Sequence, residues 1–272
     1  MPVIVHHLAM SQSERVVWLC EELGLEYDLR VYDRNPVVPP PSYTSLHLLS
    51  PTSVIEDGLV TVAESAACVR YIAKKHGNGR FILPPEHDDY EDYLIWFHFV
   101  HTNFVLTLSR WHVVKCAGAA VYNNAPKIAH MERLFYQHFA ASLGQLNERL
   151  CENSWLAGDE FTLADIMMVY SLTTLRCFAP FDLTNHVYVL AYLERASARP
   201  AYRRAKLRGD PDMSIDLLIG AASPTWQPLA DLHPPNPPNP PNSLNGESSG
   251  GASGRGQTGR QTGRQTGYQT KG

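Results

Sequence analysis

The apolar positions of this chain fall into two periodicities. Residues 3–7 (VIVHH) form a short apolar run of strand type. Residues 26–32 alternate: Tyr27, Leu29 and Val31 take one face, Asp28 and Arg30 the other, which predicts a second strand. Between them Val16, Leu19, Cys20 and Leu23 recur at helical spacing, and Gly24 follows as a stop. Ser11 and Glu14 stand at the spacing of a capping box. Strand, helix, strand predicts a parallel pair with a crossover helix. Prolines 36, 39, 40 and 41 mark a loop. The segment SVIEDGLVTVA then reads as two short strands about an Asp57-Gly58 turn. ESAACVRYIAKKHG reads as a helix, with Glu64 at its start, Lys74, Lys75 and His76 at its end, and Gly77 after it.

The first 76 residues thus give βαβ then ββα, a four-stranded mixed sheet with flanking helices in a thioredoxin-like arrangement. After a linker the pattern is helical throughout, with helices predicted near 88–115, 127–152, 162–178 and 186–206. The clearest start is Thr162, with Asp165 as its box partner and Phe161 placed to staple against Ile166. The expected organisation is a thioredoxin-like α/β domain over 1–78, a linker over 79–87, an all-α domain over 88–219 and a disordered tail over 220–272. The tail carries PPNPPNPPN and a repeated GRQT unit, and cannot bury enough apolar surface to offset its ordering entropy.

Composition narrows the function. The chain has 23 basic and 27 acidic residues, a net charge of -4. From residue 220 onward there are four basic and two acidic residues, so residues 1–219 are the more acidic part. No global basic field points to nucleic acid or an anionic membrane. Five dispersed cysteines without a C-x-x-C pair suggest a reducing compartment rather than a disulfide framework. The opening MPVIVHHLAM lacks the pattern of a signal peptide, so a cytoplasmic setting is expected. The most apolar stretch, Tyr93–Val114, holds too many polar groups for a membrane span.

Three segments, in order, resemble the glutathione transferases. SQSERVVWLCEELGLEYDL resembles their first helix and second strand. EDGLVTVAESAACVRYIAKK resembles their strand pair and glutathione-gripping helix. LAGDEFTLADIMMVYSL, with YLERASARPAYRRA, resembles their C-terminal capping motif and last helices. The match covers roughly residues 3–208 and is nearest in type to the serine-type transferases of filamentous fungi. The resemblance implies a glutathione transferase-like fold, glutathione as co-substrate, no metal, and a homodimer. It implies conjugation of glutathione to a small hydrophobic electrophile, in detoxification or a secondary-metabolite pathway.

The chemistry to be solved is thiol ionisation. A free thiol has a pKa of about 8.5, so a hydroxyl donor at a helix start must favour the thiolate. By the family's S-x-x-x-R spacing Ser11, with Arg15, matches the catalytic serine, and Ser13 is the second candidate. Capping alone also accounts for Ser11, and the two roles are compatible. Glu64 and Ser65 match the pair that holds the γ-glutamyl end of glutathione; a good helix start explains them equally. Thr52 and Ser53 match the residues of the backbone clamp on glutathione. There the sequence departs from the family's Pro-Leu-Gly-x-x-Pro run: Leu48, Ser50 and Ser53 replace its two prolines and glycine, and Pro51 stands two places early. A cis bond before a non-proline costs about 2.5–4 kcal/mol, so Thr52-Ser53 is either trans in a reshaped loop or cis under strain. His101 and Phe104 match the helix bordering the electrophile pocket, although Phe104 reads as simply as core. His98 and His101 lack further ligands for a metal, and His6-His7 read as a sheet end. Two rivals remain: a non-catalytic ligand-binding or protein-interaction module on the same fold, and a glutathione-dependent isomerase or peroxidase.

Overall fold

The structure, a computed structural model, describes residues 2–35, 38–47, 53–121 and 126–230, without the side chains of 118–121, 126 and 230. The expected sheet is present. Strand β1 (Val3–Leu8) pairs in parallel with β2 (Tyr27–Tyr32) and antiparallel with β3 (Val54–Asp57), which pairs with β4 (Val60–Ala63). The strand order is β2-β1-β3-β4. Helix α1 (Glu14–Leu23) crosses between β1 and β2, a single turn α2 (Pro41–Thr44) follows, and α3 (Ser65–Lys75) leaves β4. β1 is the inner strand and is buried along nearly its whole length. Its period of two puts His7 on the face of Val3 and Val5, both core residues.

Helix α1 begins differently from the sequence expectation. Ser13, not Ser11, is the N-cap, and it makes no side-chain cap. The Ser11/Glu14 capping box does not form. The Glu14 carboxylate instead accepts from Lys206 Nζ at 2.6 Å and from the Thr174 hydroxyl at 2.6 Å. Gly24 ends the helix with a left-handed φ of 65°, as its position suggested.

In the helical half, α4 (Tyr90–Phe99) passes through a π-helical turn (Val100–Val105) into α5 (Leu106–Val121), followed by α6 (Pro126–Glu152). Helix α7 (Leu163–Leu172) is buried at every residue. Its capping box forms as expected: the Asp165 carboxylate accepts the Thr162 N–H at 2.8 Å and the Leu156 N–H at 3.0 Å. The single helix expected over 162–178 is shorter, with a 3-10 turn over Thr174–Cys177. The one expected over 186–206 is two, α8 (Val187–Ser197) and α9 (Pro200–Gly209). Arg199 is extended before Pro200, which lacks the N–H and opens the next helix at its first position.

Two short helices end the described chain, α10 (Ile215–Ile219) and α11 (Gln227–Ala230). The tail boundary expected at 220 is therefore corrected. Residues 220–230 pack on the body: the Ala221 carbonyl accepts from the Leu183 N–H at 2.9 Å, and Trp226 lies against Phe178 with ring centroids 5.6 Å apart. The tail beyond 230 lies outside the described residues.

α1 joins the two halves. Glu22 is gripped by Arg199 through both oxygens, at 2.6 and 2.8 Å, and Glu21 receives Arg204 and Arg208, each at 2.8 Å. The polar face of α1 thus meets α9, while Val16, Val17 and Leu19 enter the core.

Candidate functional site

The β1–α1 corner carries two hydroxyls. Ser11 Oγ and Ser13 Oγ are 2.7 Å apart, and the Ser13 N–H points to Ser11 Oγ at 3.3 Å. Ser11 is only 1% exposed. Both proposed thiol-side serines therefore lie in one buried pair.

A second corner lies where β4 turns into α3. Glu64 has a left-handed φ of 76°, a strained value for a residue with a side chain. Its N–H bonds the Ser53 carbonyl at 3.2 Å, and its side chain is solvent-exposed. Helix α3 has no side-chain cap, and its first intrahelical bond runs from the Cys68 N–H to the Glu64 carbonyl. The N–H groups ahead of Cys68 thus present a partial positive charge. Ser53 Oγ is buried and has no hydrogen-bond partner among the described residues. Thr52 and the Leu48–Pro51 stretch lie outside the described residues.

Arg15 ties the two corners together. Its Nη1 donates to Gln12 Oε1 at 2.7 Å and to Ser65 Oγ at 2.9 Å, and Ser65 Oγ donates to Gln12 Oε1 at 3.2 Å. Nε donates to the Met167 carbonyl at 3.0 Å and Nη2 to Ser171 Oγ at 3.2 Å, while the guanidinium lies 4.7 Å from the Tyr170 ring centroid. The side chain is fully buried, and burial pushes its pKa down to about 10 against the pull of Tyr170 and Glu14. It remains a cation at neutral pH, in a place fitted to steer an anion.

His101 comes to the same cation. Its Nε2 accepts from Arg15 Nη1 at 3.3 Å. Desolvation of the ring and the adjacent Arg15 charge hold its pKa down to about 4. Phe104 does not line a pocket. It is wholly buried and packs edge-on to Phe139 and Phe181, at 5.6 and 6.0 Å, so its assignment to the pocket is corrected to core. A cleft of about 500 Å³ opens instead beside Met10, the residue before Ser11, with Arg34, Met213 and Trp226 on its walls. Arg34 Nε is buried there without a hydrogen-bond partner among the described residues, and its guanidinium lies over the Phe178 ring.

The family model described as glutathione S-transferase, N-terminal domain, matches residues 9–75, and that for the glutathione S-transferase C-terminal domain matches 137–200. The N-terminal model contains both corners of the site. The chain belongs to the glutathione S-transferase family. Glutathione S-transferase 3 of Schizosaccharomyces pombe is 29% identical over 182 residues, covering 62% of this chain and 73% of that protein. Glutathione S-transferase 3 of Zea mays is 28% identical over 211 residues, covering 75% and 92%. The same fold is seen in a glutathione S-transferase from Actinobacillus pleuropneumoniae, at a TM-score of 0.66 and 22% identity, covering 76% of this chain and 93% of that one.

Sequence reasoning missed three residues at the serine corner: His7, Lys206 and Asp210. His7 Nδ1 lies 2.9 Å from Ser13 Oγ, and His7 Nε2 lies 3.4 Å from Asp210 Oδ1. Lys206 Nζ sits between Glu14 and Asp210, at 2.6 and 3.4 Å. Burial opposes the Lys206 charge, but the two carboxylates outweigh it and hold its pKa up. Burial likewise opposes the Asp210 charge, but Lys206, His7 and the Met10 N–H keep its pKa well below the usual carboxylate range. The available signal was the phase of β1, which places His7 on the core face. Only an expectation of what α9 packs against could have added Asp210.

Proposed function

We propose that this protein conjugates glutathione to a small hydrophobic electrophile. The observation that carries the reading is the Gln12–Arg15–Ser65 network, which fixes the serine corner of α1 to the uncapped start of α3. A tripeptide with a thiol in its middle and a carboxylate at its γ-glutamyl end suits this spacing. The thiol goes to Ser11 and Ser13; the carboxylate goes to Ser65 and the first N–H groups of α3. Glu64 faces the ligand's ammonium, and Ser53, with Thr52, serves the peptide backbone. The electrophile occupies the cleft between Met10, Arg34 and Trp226, and His101, beside Arg15, is a further candidate contact. A homodimer in the cytoplasm, with a role in detoxification or secondary metabolism, fits the family pattern.

One observation favours a second reading, a ligand-binding module without turnover. Ser11 is almost completely covered, so a thiol reaches it only if a neighbouring segment moves. Calorimetric titration of reduced glutathione into the full chain tests both readings, followed by turnover assays with aryl halides and epoxides. Micromolar to low-millimolar binding with turnover is expected. Binding of apolar ligands alone, with no glutathione uptake, would place the second reading first.

A further inference from the structure

Four side chains from distant parts of the sequence form one buried hydrogen-bonded chain. Ser11 Oγ meets Ser13 Oγ at 2.7 Å, Ser13 Oγ meets His7 Nδ1 at 2.9 Å, and His7 Nε2 meets Asp210 Oδ1 at 3.4 Å. None of the four is more than 5% exposed. Gly209 makes the last contact possible, since a Cβ at that position would lie 2.8 Å from His7 Nε2.

The hydrogens follow from the charges. Asp210 is ionised, so it can only accept, and it already takes the Met10 N–H at 2.7 Å. His7 must therefore carry its proton on Nε2, which leaves Nδ1 with a lone pair. Ser13 has three acceptors in reach, Ser11 Oγ at 2.7 Å, His7 Nδ1 at 2.9 Å and the Leu8 carbonyl at 3.4 Å; Nδ1 carries no hydrogen in this tautomer and can only accept, so it takes the Ser13 hydrogen. Ser13 Oγ is then an acceptor toward Ser11. In this state the chain points inward, away from any bound thiol and toward the imidazole. A hydroxyl oriented that way is set to receive a proton.

We propose that His7 takes up, through Ser13 and Ser11, the proton that glutathione loses on binding, with Asp210 holding the imidazolium. The proposal rests on the reading of Ser11 as the thiol's neighbour. Each atom is accounted for. The thiol gives its proton to Ser11 Oγ, Ser11 passes its own hydrogen to Ser13 Oγ, and Ser13 passes its own to His7 Nδ1. One S–H bond breaks, one N–H bond forms, both hydroxyls survive with their hydrogens reversed, and the total charge is unchanged. The thiolate now faces a Ser11 hydroxyl that donates to it. After the carbon–sulfur bond forms, the proton returns along the same chain to the anion displaced from the electrophile or to water.

Two things recommend an imidazole for this task. A serine hydroxyl can stabilise a thiolate but cannot keep its proton, and a covered site offers little water to take it. His7 is the base that ends this chain, with one ring nitrogen held by Asp210 and the other open to Ser13. The charged groups around His7 are Asp210 directly, with Lys206 and Glu14 behind it and Arg34 in the field of the same carboxylate.

The test uses the full chain with His7→Gln, Ser13→Ala and Ser13→Thr. Two quantities are measured: the pKa of bound glutathione from thiolate absorbance, and the affinity for S-methylglutathione, which has no thiol proton to give. In the parent protein the bound thiol should ionise below its free value of about 8.5. His7→Gln should raise that pKa by about one unit, a tenfold loss of thiolate and of kcat/KM at neutral pH, while S-methylglutathione affinity stays within about twofold. Ser13→Ala should behave like His7→Gln, and Ser13→Thr, which keeps the hydroxyl, should restore the parent profile. If His7→Gln does not fold, the Ser13 pair decides alone. An unchanged thiol pKa in Ser13→Ala overturns the relay and leaves the glutathione site standing. No binding of S-methylglutathione to the parent protein overturns the glutathione site, and the relay with it.

Discussion

Arg15 is a buried cation with no carboxylate at hydrogen-bonding distance among the described residues. Its N–H groups are instead spread over five acceptors: Nη1 serves Gln12, Ser65 and His101, Nη2 serves Ser171, and Nε serves the Met167 carbonyl. A planar fork can reach such scattered acceptors; an ammonium on a flexible stem cannot. Arg15→Lys should therefore keep the charge yet lose about 1–3 kcal/mol of stability, and weaken glutathione binding because Ser65 loses its anchor. Urea unfolding and calorimetry on one preparation check both. Parent-like behaviour in both would remove Arg15 from the site. His101 gives a pH prediction. Its pKa is lowered in the fold to about 4, below an unfolded value near 6.5, so the unfolded chain binds the proton first. Stability from this group is whole above pH 6.5 and falls as pH drops toward 4. His101→Gln should flatten that part of the melting temperature–pH curve, by an amount that solvent at this open residue reduces. Ser11, Glu64 and Ser65 were legible in the sequence because each sits at a helix start with a recognisable neighbour. The meeting of His7 and Asp210 was not, because the two stand 203 positions apart with no local pattern linking them.

Among the elements, the two predicted capping boxes had opposite outcomes. At α7 the Thr162/Asp165 box formed, because Asp165 also serves the Leu156 N–H and the Tyr192 hydroxyl from outside the helix. At α1 the same spacing was overruled, because a buried Lys206 competes for Glu14 more strongly than a backbone N–H does. Sequence spacing shows that a local bond can form; it is silent about a stronger long-range partner. The difference sets the cost of substitution. Asp165→Ala removes the acceptor of two buried N–H groups and two buried hydroxyls, and should cost about 3 kcal/mol in chemical denaturation. A loss under about 1 kcal/mol would mean that water replaces the carboxylate. At the end of α9, Gly209→Ala should stabilise an ordinary helix by about 1 kcal/mol. Here the new methyl meets a fully buried His7 ring, and a net loss of about 1–3 kcal/mol is expected. The period-two and helical patterns located the sheet and most helices. Where they overran, at Pro200 and after Leu172, the chain turned without leaving the apolar core, so hydrophobic spacing continued across the break.

For the whole molecule, the decisive segment is 220–230, which composition alone assigned to the tail. Its prolines and small residues read as low complexity, yet it is held by the body's needs more than by its own apolar surface. Arg176 is fully buried on the helical half, where burial pushes its pKa down to about 10 against the pull of Asp182. Its two Nη atoms donate to the Gly220 and Ala221 carbonyls at 2.8 and 2.7 Å, and Nε donates to the Phe181 carbonyl at 3.1 Å. Ser223 Oγ closes on the same Phe181 carbonyl at 2.7 Å, and Trp226 covers Phe178 beside the Met10 cleft. A chain ending at Ile219 strips a buried guanidinium of two acceptors and opens that cleft. The expected cost is about 2–4 kcal/mol, or a melting temperature lower by about 5–15 °C for a fold of this size. A chain ending at Ala230 keeps every one of these contacts. It is expected to melt with the full chain, because the remaining sequence is rich in proline and glycine and poor in apolar residues. Calorimetric scans of the three lengths separate the alternatives. If the 219 and 230 forms melt together, water satisfies Arg176 and the segment is ornament to the fold. If they differ as expected, glutathione titration of both forms shows whether the strap that stabilises the helical half also bears on ligand binding beside the Met10 cleft.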